Sequence, residues 1–254
     1  MAKLLAALYA GASYFVFLVA FLYSIGFVGN LVFDKTIDQG GQAALASAVV
    51  VDLLLLGLFA IQHSVMARPA FKAWWKRVVP EHIERSTYVL LSSLILLLIF
   101  WQWRPIATIV WSFADPFVVG AFKFSFWLGW AIVFFATFMI NHFDLFGLRQ
   151  VWLRIRERAY QPPPFTTFGF YRFVRHPLML GFVIAFWSSA TMTVGHLLFA
   201  IATTGYILIA LQLEERDLRR AIGSQYEDYR RQVPMLIPFA RARRKRADDR
   251  IVTG

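Results

Sequence analysis

Residues 178–213 read LMLGFVIAFWSSATMTV, then Gly195-His196, then LLFAIATTGYILIALQL. Each run is about 17 residues, close to the shortest helix that crosses ~30 Å of hydrocarbon. Neither run contains a charged residue, and apolar side chains occur on every helical face instead of one stripe. The pair therefore reads as a tight helical hairpin inside lipid, 178–194 followed by 197–213, whether or not it fully crosses. Upstream, four further apolar stretches fall at about 4–33, 43–62, 86–103 and 117–140. The first is too long for the core of a signal peptide and is read as a retained span. The expected fold is all-α: a polytopic integral membrane helical protein of five to six transmembrane helices, ending in that hairpin.

Composition agrees with the spans. Of 254 residues, 59% are hydrophobic and 16% charged, against about 25% charged in an ordinary soluble domain. Mean hydropathy is +0.57. A soluble enzyme is excluded, because one core of this size cannot hide so much apolar surface. The absence of cysteine removes thiolate nucleophiles, disulfides and cysteine-held metal centres. Any sulfur chemistry then belongs to a ligand.

The net charge of +11 sorts by loop. Arg68, Lys72, Lys76, Arg77 and Arg85 lie between the second and third spans, and six arginines lie between the fourth span and the hairpin. Eleven more basic residues follow Leu213. With Lys3, one side holds 23 of the 26 Lys and Arg, leaving Lys35, Arg104 and Lys123 opposite. The positive-inside rule puts that basic side, and both termini, in the cytoplasm. The charge is thus topology and attraction to anionic lipid, with no nucleic-acid partner implied. Trp74-Trp75 are expected at the inner interface and Trp101, Trp103 and Trp111 at the outer one. Residues 1–240 form one domain, with a cytoplasmic region at 214–240, and 241–254 is a basic tail expected to be disordered.

Polar residues that are costly in or beside a membrane mark candidate sites. Asp52 falls inside the second span, as a functional carboxylate or as a helix–helix contact. His63 ends that span. Asn141, His142 and Asp144 share one turn at the end of the fourth. His142 suits a proton acceptor, being neutral at cytoplasmic pH, and Asp144 is expected to orient it. Five scattered histidines lack metal-ligand spacing, so no metal is expected. Pro162-Pro163-Pro164 cannot be helical and leads into Thr166 and Tyr171. Pro177 suits the first turn of a helix, with Arg175 and His176 at its start as an anion site. Hairpin geometry returns Glu214 and the helix carrying Tyr226 and Tyr229 to the same end. One pocket then holds Arg175, His176, Glu214 and the tyrosines, suited to a ligand with a carboxylate and with ammonium or hydroxyl groups.

The motifs YRFVRHPLMLG (171–181) and EERDLRRAIGSQYEDYRRQVPMLIP (214–238) resemble the isoprenylcysteine carboxyl methyltransferase superfamily. The segments QHSVMARPAFKAWW (62–75), ERSTYVLLSS (84–93) and NHFDLFGLRQVW (141–152) resemble its bacterial methanethiol S-methyltransferase branch. The resemblance implies S-adenosylmethionine bound at a cytoplasmic pocket without a dinucleotide-type fold, leaving S-adenosylhomocysteine as product. It places cofactor contacts at Tyr171, His176, Pro177, Leu178, Met179, Glu214 and the main chain around Pro164–Thr166. Met179 departs from the tyrosine common at its position. Ala210 replaces an arginine associated with the prenylcysteine substrate, which favours a small neutral thiol over a lipid-anchored carboxylate.

The reaction so implied moves a methyl group to the sulfur of methanethiol, giving dimethyl sulfide, with His142 or His63 taking the proton. The alternatives are the same fold methylating a prenylcysteine-like carboxylate, a lipid or another small thiol, and a non-enzymatic transport or assembly protein of the nitrite- and nitric-oxide-linked type. The acceptor is a small volatile thiol and the other partner is the lipid bilayer.

Overall fold

The computed structural model describes residues 1–41 and 43–238. The tail at 241–254 lies outside the described residues. In chain order the elements are helix α1 (Ala2–Gly29), α2 (Leu45–Ala67), α3 (Pro69–Trp75), α4 (Glu81–Gln102), strand β1 (Ile109–Ser112), α5 (Pro116–Ile140), α6 (His142–Leu145) and α7 (Leu148–Ile155). A 3-10 turn at Gly169–Arg172 follows, then α8 (Pro177–Trp187), β2 (Thr191–Thr193), α9 (Val194–Ile222) and α10 (Ser224–Gln232). Five of these, α1, α2, α4, α5 and α9, are long and apolar enough to cross a membrane. The chain is an integral membrane protein of all-α class.

Local chemistry sets the ends. Asn30 stops α1 in a left-handed conformation (φ 53°), which a short polar side chain tolerates, and its N–H returns to the Gly26 carbonyl. Asp115 caps α5 by accepting the Val118 N–H. Pro69 and Pro177 each occupy the first turn of a helix, where a missing N–H costs nothing.

The hairpin differs from its expectation. The run 178–194 is not one helix: α8 ends at Trp187 after 11 residues, about 17 Å of rise. Irregular backbone at 188–190 then leads into β2, paired antiparallel with β1. The turn is not at Gly195-His196, since α9 begins at Val194 and its Thr193 hydroxyl accepts the His196 N–H. The cause is a run of hydroxyls that compete for backbone groups. Ser188 donates to the Ile184 carbonyl at 2.6 Å and Ser189 to that of Thr191 at 2.6 Å. Irregular backbone is tolerable in a membrane protein only when it is paired. Here Phe113 donates to Ala190, Val194 to Thr108 and Gly195 to Ile106. The second half, α9, runs unbroken past the expected end at Leu213 to Ile222.

The main core joins α1, α4, α5, α8 and α9 through Phe27, Phe100, Trp103, Phe126, Trp130 and Phe199. Trp103 belongs to it, 1% exposed with its indole N–H on the Ile37 carbonyl, and so departs from the interfacial belt expected for it, whereas Trp101 is exposed. Asp52 is fully buried and accepts the Arg104 N–H at 2.9 Å, tying the chain that leaves α4 to α2. Helices α5 and α8 meet backbone to backbone: a Cβ added at Gly181 would lie 2.7 Å from the Gly129 carbonyl oxygen. That contact fixes the start of α8, and with it Arg175 and His176.

Candidate functional site

Glu215 organises the end of the molecule where α8 begins and α9 ends. Its Oε1 accepts from Arg175 Nε at 2.7 Å, His176 Nε2 at 3.0 Å and the Tyr226 hydroxyl at 3.0 Å, and its Oε2 accepts from Arg230 Nε at 2.8 Å. The side chain is 4% exposed. A buried carboxylate is tolerated only when it is paired and hydrogen-bonded in this way. The C-terminal segment closes over the same point, with Arg175 and His176 donating their backbone N–H groups to Pro234 and Met235.

This accounting changes several expected roles. Arg175 also donates to the carbonyls of Val233 and Arg230, so its Nε and one terminal nitrogen are engaged within the protein. Tyr226 is committed to Glu215 and Tyr229 to the Tyr171 carbonyl at 2.6 Å. Burial pushes the Tyr229 phenol up to about 12 and also raises Tyr226, whose proton further neighbours the Glu215 charge. Both remain donors at neutral pH. Glu214 is different: its side chain is 48% exposed, it accepts no hydrogen bond among the described residues, and its Oε2 lies 3.8 Å from His176 Nδ1. Burial, and then the charge of Glu214, raise the nearby Tyr171 phenol. Beside them Leu178 and Met179 offer first-turn N–H groups that have no acceptor within α8. Tyr171, His176, Glu214 and the α8 N-terminus are thus brought together as expected.

The loop after Pro164 lies against the end of α5. Gly169, at φ +61°, leaves no room for a Cβ against Met139, whose sulfur accepts the Phe170 N–H. Between loop and helix is a cleft of about 410 Å³ lined by Met139, Asn141, His142, Phe143, Pro164 and Thr166. Thr166 and His142 therefore share one opening.

His142 is 7% exposed and stacks on Phe138 with ring centroids 4.3 Å apart. Its Nδ1 is 2.8 Å from the Thr137 hydroxyl and its Nε2 2.7 Å from the Tyr14 hydroxyl. Burial lowers its pKa, keeping the ring neutral. Asp144 does not orient it. Side chains two residues apart on a helix point away from each other, and the Asp144 carboxylate instead accepts from Arg149 at 2.8 Å and from Tyr160 at 3.1 Å. Asn141 caps the same turn by accepting the Asp144 N–H, at a strained φ of 139°. Asn141 and Asp144 thus hold this turn and its neighbours, and Asn141 also lines the cleft.

His63 sits among α2, α4 and α9. Its Nε2 is 2.9 Å from the Tyr88 hydroxyl and its Nδ1 3.3 Å from the Ser92 hydroxyl, while neighbouring Ser64 reaches Tyr206 on α9. The two histidines thus occupy separate hydrogen-bonded pairs, each with a tyrosine. Sequence reasoning missed Tyr14, Tyr88 and Glu215. The last had a signal, because adjacent helical residues lie about 100° apart, so that of Glu214 and Glu215 only one faces outward. Among the described residues no group of three metal-ligating side chains occurs.

The family described as "NnrU protein" matches residues 52–231. The chain is 58% identical over 239 residues to a Mycobacterium tuberculosis protein named methanethiol S-methyltransferase, covering 94% of this chain and 98% of that one. It is 58% identical over 252 residues to methanethiol S-methyltransferase 2 of Bradyrhizobium diazoefficiens, covering 98% and 95%. The chain belongs to the methanethiol S-methyltransferase family. A further member from Crocosphaera subtropica is 54% identical over 232 residues, 91% of each chain. No solved structure matches. The span matched to the NnrU family takes in His63, His142, His176, Glu214 and Glu215, while Tyr14 precedes it.

Proposed function

We propose that this protein transfers a methyl group from S-adenosylmethionine to the sulfur of methanethiol, giving dimethyl sulfide. The observation that carries the acceptor is 58% identity, over nearly the full length of both chains, to a protein bearing the methanethiol S-methyltransferase name. The geometry that supports the donor is the unengaged Glu214 carboxylate beside His176 and the N-terminus of α8. A zwitterion with an ammonium, a carboxylate and ribose hydroxyls fits that donor set. Glu214 would hold ammonium or hydroxyl, the first-turn N–H groups of α8 the carboxylate, and Tyr171 and Thr166 the remaining polar edge. When bound, S-adenosylmethionine supplies a methyl group on a positively charged sulfur, open to in-line attack.

The chain's own work is positioning and proton removal. An alkyl thiol, with a pKa of about 8.5 or above, is mostly protonated at neutral pH. His142 is the favoured proton acceptor, since it lines the cleft shared with Pro164 and Thr166. Ala210, four residues before Glu214, offers no cation to a prenylcysteine carboxylate. Non-enzymatic transport or assembly is not favoured, because the three relatives above are named as enzymes. The basic end, with both termini, is taken to face the cytoplasm, where the methyl donor is found.

Headspace gas chromatography of purified protein given S-adenosylmethionine and methanethiol tests the reading, and dimethyl sulfide is expected. Turnover only on a lipid or a larger thiol would overturn the acceptor. No calorimetric binding of S-adenosylhomocysteine at millimolar concentration would overturn the donor.

A further inference from the structure

Hydrogen-bond accounting around His142 leaves it no free nitrogen. The Thr137 hydroxyl donates its own proton to the Phe134 carbonyl at 2.7 Å, so toward His142 Nδ1, 2.8 Å away, it can only accept. Nδ1 therefore carries the ring proton, and Nε2 is the lone pair. That lone pair is already occupied, accepting the Tyr14 O–H at 2.7 Å. An outside proton that went directly to Nε2 would have to displace the Tyr14 hydroxyl. The one oxygen wired to Nε2 that retains an accepting lone pair is the phenol of Tyr14, and Tyr14 is more exposed than the ring it serves.

We propose that Tyr14 is a catalytic residue, receiving the thiol proton on its oxygen while passing its own proton to His142 Nε2. The inference rests on the methyl-transfer reading above and deepens it. In the balanced step the thiol S–H bond breaks as its sulfur forms a bond to the methyl carbon, and the bond from that carbon to the donor's cationic sulfur breaks. The donor leaves as a neutral thioether. The positive charge ends on the His142 imidazolium, which burial makes a ready proton source for solvent. Thr137 is a positioning residue, because it fixes the tautomer that leaves Nε2 as acceptor.

Other titratable groups around the pair are committed elsewhere or held by their own contacts. On α6 and α7 these are Asp144, paired with Arg149 and Tyr160. On α4, Arg85 donates to the Leu145 carbonyl, and Tyr88 packs in the same aromatic cluster as Tyr14 and Phe146. None of them bonds either atom of the Tyr14–His142 contact.

The test is the pH dependence of kcat/KM for methanethiol in the full-length protein and in Tyr14→Phe. With the relay, the wild-type profile is flat from about pH 6.5 to 8.5, since a neutral His142 and a protonated thiol coexist there. Tyr14→Phe removes the oxygen that receives the proton and leaves His142 Nε2 2.7 Å beyond the place where that oxygen stood, so the variant depends on thiolate formed in solution. Its kcat/KM should fall about 100-fold at pH 7 and rise tenfold per pH unit, narrowing the gap by pH 9. A merely structural tyrosine would not change that slope. A flat profile in Tyr14→Phe, within about threefold of wild type, would overturn the relay. Nitrogen-15 NMR of the wild-type protein decides the wiring without any variant: a neutral His142 protonated at Nδ1 is expected, and protonation at Nε2 overturns the proposal even if Tyr14→Phe fails to fold. Wild-type protein that forms no dimethyl sulfide would sink the methyl-transfer reading itself, a separate result.

Discussion

Glu214 and Glu215 are neighbours in sequence and do opposite work. Glu215 accepts four hydrogen bonds, with Arg175 9% and Arg230 30% exposed. Glu215→Gln leaves the more deeply buried Arg175 without its countercharge. Removing one partner of a buried pair costs about 3 kcal/mol or more, so the melting temperature in detergent should fall distinctly. Glu214→Gln should leave that temperature nearly unchanged and weaken S-adenosylhomocysteine binding at least tenfold by calorimetry. The reverse pattern would mean that the two roles have been exchanged. Residue types alone pointed to His176, Glu214 and His142, and the family resemblance added Tyr171. They could not show that Arg175, Tyr226 and Tyr229 face inward, because donor capacity is visible in a sequence whereas the acceptor that consumes it is fixed by packing. Asp144 failed as the orienter of His142 for the same reason: proximity in the chain placed it within one turn, but the turn aims it at Arg149 and Tyr160.

At the scale of elements, the five long spans were legible because continuous apolar runs have no other stable home. The half-helix α8 was not. Its continuation Ser188-Ser189-Ala190-Thr191-Met192-Thr193 is uncharged and counts toward an apolar window, yet its hydroxyls divert the backbone into pairing with β1. What holds so short a helix is its contact with α5. At Gly181 an added Cβ meets the Gly129 oxygen at 2.7 Å and the Val133 nitrogen at 2.9 Å, both backbone atoms that cannot swing aside. Small residues at such crossings let membrane helices approach closely. Gly181→Ala should therefore force α8 from α5 at a cost of about 1–3 kcal/mol. The same shift displaces His176 and the first turn of α8, so S-adenosylhomocysteine affinity should fall together with melting temperature. A variant that melts earlier but binds normally would show that α8 does not position the binding face.

For the whole molecule, the +11 charge and the apolar bulk express one asymmetry. Arg68, Lys72 and Arg77 follow α2 at the same end as Lys3, Arg149 and the start of α8. Lys35 lies in the α1–α2 connection at the other end, and Arg104 follows α4 there. If loop charge governs insertion, the basic end, carrying Glu214 and the His142 cleft, faces the cytoplasm. The chain contains no cysteine, so a single introduced thiol reports its side without background. Gly41→Cys suits the sparsely charged end, since nothing lies within 4 Å of a Cβ placed there. Arg77→Cys suits the basic end, where its side chain is exposed. In intact spheroplasts a membrane-impermeant maleimide should label Gly41→Cys at once and Arg77→Cys only after permeabilisation. Labelling in the opposite order would invert the topology and place the site where S-adenosylmethionine, a charged cytoplasmic metabolite, does not reach it. Labelling of both before permeabilisation would mean that charge asymmetry does not set a single orientation here.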